Sequence, residues 1–177
     1  AVAEALKHNC SLNSLDLRSN KIGDDGIMAV AAALQENRSL TSLKLEGNTF
    51  GSEGIKAMGA MLKENQSLAS FFLSSNKIGD EGVKVVSAAL NKNNSLKFID
   101  LGDNHVNYKG AEALATMLIE NKSLISLKLA DNNIGVEGAK VVAAALNENS
   151  SLEILDLNGN NIGVVGAKAV AAVLIES

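Results

Sequence analysis

The side chains best suited to chemistry are few and far apart. His8 and His105 are the two histidines, Cys10 is the single cysteine, and Arg18 and Arg38 are the two arginines. The sequence has no Cys-x-x-Cys or His-x-x-x-His spacing, so no metal site is expected, and nothing calls for a cofactor. No serine, histidine and acid recur together in a way that would assemble a nucleophile, its base and an orienting carboxylate. The I-G-x-x-G turns, as at Ile22–Gly26 and Ile78–Gly82, superficially resemble loops that cradle phosphate at a helix N-terminus. They lack the Gly-Lys-Ser/Thr ending of such loops and carry acids instead, Asp24, Asp25, Asp80 and Glu81, which suit the positive end of a helix dipole. Arg18 and Arg38 are the two residues able to serve as arginine fingers for another protein's GTP hydrolysis, and both read as solvated surface residues. The pattern predicts no catalytic residues.

Composition excludes further classes. The 177 residues carry 20 acidic and 16 basic side chains, a formal net charge of -4, interspersed along the chain. No basic stripe exists to displace counterions from a phosphate backbone, so nucleic acid is not an expected partner. No run approaches the ~18 apolar residues that a membrane span needs, and no small-molecule substrate is indicated. AVAEALKHN lacks the features of a signal peptide, and an unpaired Cys10 fits a reducing compartment; a cytoplasmic protein is expected. The Asn-x-Ser sequences at Asn37, Asn65, Asn93, Asn121 and Asn149 match glycosylation acceptors, but their strict periodicity marks them as loop residues.

That periodicity governs everything else. Leucines at 12, 40, 68, 96, 124 and 152 are spaced by 28 residues, as are Asn20, Asn48, Asn76, Asn104, Asn132 and Asn160. The unit reads S-L-x-x-L-x-L-x-x-N-x-I-G-x-x-G, followed by an alanine-rich stretch. In SLTSLKLEGN, Leu43 and Leu45 alternate with polar neighbours, the period of a strand with one buried face. In GIKAMGAMLKEN, Ile55, Met58, Met61 and Leu62 recur at three- and four-residue spacings, the period of an amphipathic helix. Eleven of the 15 glycines occupy the two columns typified by Gly23 and Gly26, at the turn into the helix. Neither half buries its apolar face alone, so neighbouring units must stack into one core. Strands pair at ~4.8 Å and helix axes at ~8–10 Å, so the strand side becomes the concave wall. Asn20 and its equivalents are expected to satisfy backbone groups in the turn after each strand.

The run LTSLKLEGNTFGSEGIKAMGAMLKENQSL resembles repeats of the ribonuclease-inhibitor-like class of leucine-rich repeats, similar to those of NLR-type receptors and the Ran GTPase-activating protein. The resemblance implies an α/β horseshoe solenoid of 28-residue strand–helix units, with parallel strands on the concave face and helices on the convex face. It also implies protein binding on the concave wall, with GTPase activation and a structural or cytoskeletal scaffold as alternatives. The reading is one domain over 1–177: a partial repeat at 1–10, then repeats beginning near 11, 39, 67, 95, 123 and 151. The fourth repeat departs from the pattern, with HVNYKG placing Asn107 in a glycine column, so its turn is expected to be reshaped. Without a polar cap the expected reading is a fragment of a longer repeat array or multidomain protein, with a natural minimal protein or end-to-end self-association as alternatives.

Outward-facing strand positions escape the packing demands of the repeat and vary between units. One column reads Asp16, Lys44, Phe72, Asp100, Lys128, Asp156; the column two residues earlier reads Ser14, Ser42, Ser70, Phe98, Ser126, Ile154. Phe72 and Phe98 should meet diagonally on adjoining strands, with Lys44, Asp100 and Lys128 around them and Ile154 further out. Asp16 with Lys44, and Asp100 with Lys128, are placed to pair across the sheet. Large aromatics ringed by polar groups are the anatomy of a protein-binding hot spot, and this surface is the expected partner site. Phe50 and Phe71 occupy core columns. All twelve leucine-column residues of the strands, from Leu15 and Leu17 to Leu155 and Leu157, are expected to be buried.

Overall fold

The computed structural model describes residues 2–176. Helices and strands alternate as α1 Val2–His8, β1 Ser14–Asp16, α2 Asp24–Glu36, β2 Ser42–Lys44, α3 Ser52–Glu64, β3 Ser70–Phe72, α4 Gly79–Leu90, β4 Phe98–Asp100, α5 Tyr108–Glu120, β5 Ser126–Lys128, α6 Gly135–Leu146, β6 Ile154–Asp156 and α7 Gly163–Glu176. The six strands form one open parallel sheet in chain order. Each pairs with the next in the repeat register, Ser42 beside Ser70, Leu43 beside Phe71 and Lys44 beside Phe72. Each parallel pair is joined by one crossover helix, and the helices pack in the same order behind the sheet.

The core lies between sheet and helices. Leu43, Leu45, Phe71, Leu73, Ile99, Leu101, Leu127 and Leu129 are fully buried, and Phe50 fills its isoleucine column equally well. The outermost strands depart from expectation: Leu15, Leu17, Leu155 and Leu157 are only half-buried. Their strands, β1 and β6, have a neighbour on one side alone, so the far side of each leucine meets no further strand. No helix among the described residues is long and apolar enough to cross a membrane.

Asparagines run through the stack in two ladders. In the expected one, Asn132 Nδ2 donates to the carbonyls of Leu101 at 3.0 Å, Leu129 at 2.9 Å and Ala130 at 3.2 Å. Its Oδ1 accepts the N–H groups of Asn104 at 3.0 Å and Val106 at 2.9 Å. Asn76 breaks the series, because its buried Oδ1 has no partner. The second ladder uses the Asn-x-Ser residues. Asn65 Nδ2 donates to Leu34 O at 2.8 Å and Asn37 O at 3.1 Å, while its Oδ1 accepts from the N–H groups of Ser67 and Leu68. Leu34 lies in the last turn of α2, where carbonyls lack intrahelical partners, so each of these asparagines helps close the preceding helix. They are structural groups turned inward, and Asn65 and Asn93 are completely buried.

From α3 to α6 the helix entrances alternate between two geometries. Asp24 Oδ1, in α2, accepts the N–H groups of Gly51 and Gly54, each at 2.8 Å, and so caps α3; Asp80 Oδ1, in α4, accepts from Asn107 at 2.8 Å and Gly110 at 3.0 Å and caps α5. These carboxylates therefore serve the following helix as well as sitting in the first turn of their own. The fourth turn is not singular: α5 starts as α3 does, and Asn107 at φ −109° needs no glycine there. Its equivalents Gly79 and Gly135 sit at φ +61° and +69°, where glycine is required.

Close helix contact also explains Gly59. A Cβ there would lie 2.4 Å from Val85 Cγ1 and 3.4 Å from the Val85 carbonyl oxygen. Overpacking outweighs the gain in helix propensity, so Gly59→Ala is expected to lower stability by about 1–2 kcal/mol. Urea denaturation measures this, and an unchanged or raised midpoint would show that α3 and α4 separate freely.

Candidate functional site

The concave wall brings the two variable phenylalanines together. Phe72 is in register with Lys44 and Asp100, and Phe98 with Ser70 and Ser126, which sets the two rings diagonally on β3 and β4. Their centroids are 4.7 Å apart at an interplanar angle of 37°. Both rings are half-buried, and Lys44 Nζ stands 5.6 Å from the centroid of Phe72, with Lys128 Nζ 5.4 Å from that of Phe98. The result is one continuous stack, lysine–phenylalanine–phenylalanine–lysine, across β2 to β5. An ammonium over a ring face is attracted by the ring's quadrupole by about 0.5–1 kcal/mol where exposed.

The expected cross-strand ion pairs do not form. Asp16 is gripped by Arg18, with Nε at 2.9 and 3.0 Å from its two oxygens and an Nη2 bond of 2.7 Å. That fork, with the Arg18 N–H, holds the Asp16 carboxyl down at about 2, and Lys44 adds little. Asp100 accepts the N–H of Gly102 at 2.9 Å and Asp156 that of Asn158 at 3.0 Å. Tight turns two residues on thus engage these carboxylates locally. Among the described residues, Lys44 and Lys128 form no ion pair and lie over the rings instead.

Ile154 is exposed on β6, separated from Phe98 in register by Ser126. Ser126 is buried to 3% exposure and its hydroxyl has no hydrogen-bond partner. By sequence it is one more member of a serine column, set apart only by its bulky in-register neighbours Phe98 and Ile154. The other chemically capable residues lie elsewhere. His8 and His105 are both exposed and far apart along the stack, Cys10 is exposed, and Arg38 donates to the carbonyls of Gln35 and Asn37 at the end of α2. No group of three or more His, Cys, Asp or Glu among the described residues is arranged to hold a metal ion.

Six segments, residues 8–31, 36–59, 64–87, 92–115, 120–143 and 148–171, match the family model described as Leucine Rich repeat. The chain belongs to the leucine-rich repeat family. No curated protein is matched. Among solved structures, this leucine-rich repeat chain is similar to leiomodin-1 actin-binding site 2 at 22% identity and a TM-score of 0.73, covering 82% of this chain and 86% of that one. It is also similar to the tropomodulin C-terminal domain of Caenorhabditis elegans at 12% identity and a TM-score of 0.71, covering 99% and 96%. At these identities the likeness is one of fold, and it places the parallel strands and their helices in the ribonuclease-inhibitor-like class. A leucine-rich repeat domain of this kind is suited to protein–protein interaction.

Proposed function

We propose that this leucine-rich repeat chain is a non-enzymatic recognition module that holds a partner protein on its concave wall, centred on Phe72 and Phe98. The observation that carries the reading is the stacked aromatic pair, half-buried on outward strand positions whose identities vary between repeats. Lys44, Asp100 and Lys128 form its polar surround, and Ile154 is an outlying contact. The helix face supports the contrast. Lys56, Lys84 and Lys140 are each paired with a glutamate three residues earlier, at 2.6–2.7 Å. A GTPase-activating role has less to support it, since Arg18 and Arg38 are both engaged by their own chain.

Actin is the first partner to test, because the similar leiomodin-1 domain is described as an actin-binding site. The experiment titrates actin, and in parallel a partner isolated by affinity capture, against the parent chain, Phe72→Ala, Phe98→Ala, Lys56→Ala and Lys84→Ala. The helix-side variants are expected to bind within about twofold of the parent, as exposed ion pairs contribute little. Loss of binding in Lys56→Ala and Lys84→Ala, with retention in both phenylalanine variants, would move the working surface to the convex side.

A further inference from the structure

We infer that the concave patch is built for an extended, acidic segment of a partner protein that presents carboxylate, apolar side chain and carboxylate on one face, a Glu-x-Phe-x-Glu type of sequence. The inference rests on the concave reading above and adds the chemistry of what is bound. Lys44 and Lys128 bracket the aromatic pair, and among the described residues neither forms an ion pair although Asp16, Asp100 and Asp156 stand in register with them. Those aspartates are held by Arg18 and by backbone N–H groups of their own turns. Lys44 feels the charge of Asp16 across the strand only weakly, and both ammonium groups lie over ring faces, a weaker attraction than a direct carboxylate contact offers once water is excluded.

Spacing then selects the segment. Lys44 and Lys128 lie on strands three intervals apart, about 14 Å at normal strand spacing. In an extended peptide, residues i and i+4 are about 13 Å apart and share a face with residue i+2. Two acids at that separation reach both ammonium groups while the residue between them lies on Phe72 and Phe98. Ser126 adds an independent mark: its unpartnered hydroxyl is buried beside Phe98 in register and two residues before Lys128. A bound carboxylate takes that hydroxyl as a donor only where the neighbouring side chains shift to uncover it.

The test uses three fluorescent decapeptides, identical except for a central Glu-x-Phe-x-Glu, Gln-x-Phe-x-Gln or Lys-x-Phe-x-Lys, titrated by anisotropy at low and moderate salt. The acidic peptide is expected to bind tightest, with affinity falling as salt rises. Lys44→Ala and Lys128→Ala should each weaken it about fivefold or more, and the double reversal Lys44→Glu/Lys128→Glu should make the basic peptide the preferred one. Circular dichroism confirms that each variant is folded. Equal affinities for the three peptides, no acidic-peptide binding at millimolar concentration, or an unchanged preference after charge reversal would overturn the acidic assignment. If Phe72→Ala and Phe98→Ala still lose the protein partner, that outcome leaves the concave reading standing. Should the acidic peptide bind equally well to both phenylalanine variants, the concave reading itself fails.

Discussion

Asn132→Ala is expected to destabilise the fold by about 3–4 kcal/mol, more than any other change in the asparagine ladder. Its amide satisfies three carbonyls and accepts two N–H groups, all supplied by its own and the preceding repeat. A buried backbone group left without a partner costs about 1–3 kcal/mol, and relaxation or entering water will recover part of the total. Asn104→Ala should cost about 1–3 kcal/mol, since Asn104 donates to two carbonyls and accepts one N–H. Asn76→Ala should lie at the lower end of that range, because its oxygen is already idle. Urea denaturation gives the order, and hydrogen exchange locates the damage: the Asn104 and Val106 amides should lose protection in Asn132→Ala. Equal midpoints for all three variants would remove the ladder from the account of stability.

The second large effect concerns binding. Truncating Phe72 or Phe98 to alanine removes half of the aromatic pair and deprives one lysine of the ring it covers. For a partner seated on this wall, each change should weaken binding by about 2 kcal/mol or more, a loss of roughly 30-fold. Fold stability should fall far less, because both rings are half-exposed and the buried neighbours Phe71 and Ile99 carry the packing of those strands. Phe71→Ala is the contrasting control, as it empties a fully buried site and should unsettle the core by about 3–5 kcal/mol. Titration calorimetry beside thermal unfolding separates the two readouts. Wild-type affinity in both Phe72→Ala and Phe98→Ala would end the case for this patch.

The architecture was legible in the residues because the repeat over-determines it. A 28-residue period, a two-residue alternation at Leu43 and Leu45, and a helical spacing at Ile55, Met58 and Met61 all demand the same stacked unit. The buried mid-array columns, the asparagine ladder and the diagonal meeting of Phe72 with Phe98 follow from register alone. Register is a counting problem, and the chain never slips.

What register leaves open are choices among partners of similar energy at exposed positions. From the sequence, Lys44 faces Asp16 and Lys128 faces Asp100, and pairing by charge is the natural reading. The folded chain instead gives Asp16 to Arg18 and lays both lysines over rings. Exposed ion pairs and cation–π contacts each contribute about 1 kcal/mol or less, so local side-chain geometry decides between them, and a linear pattern carries no record of it. The same holds for Asp24 and Asp80, whose caps reach into the next repeat, and for the end leucines, whose burial depends on a neighbour rather than on their own type. Ser126 shows the limit most sharply. Its identity matches Ser42 and Ser70, yet its burial and idle hydroxyl arise from the packed neighbourhood of β5, which exists only after the chain has folded.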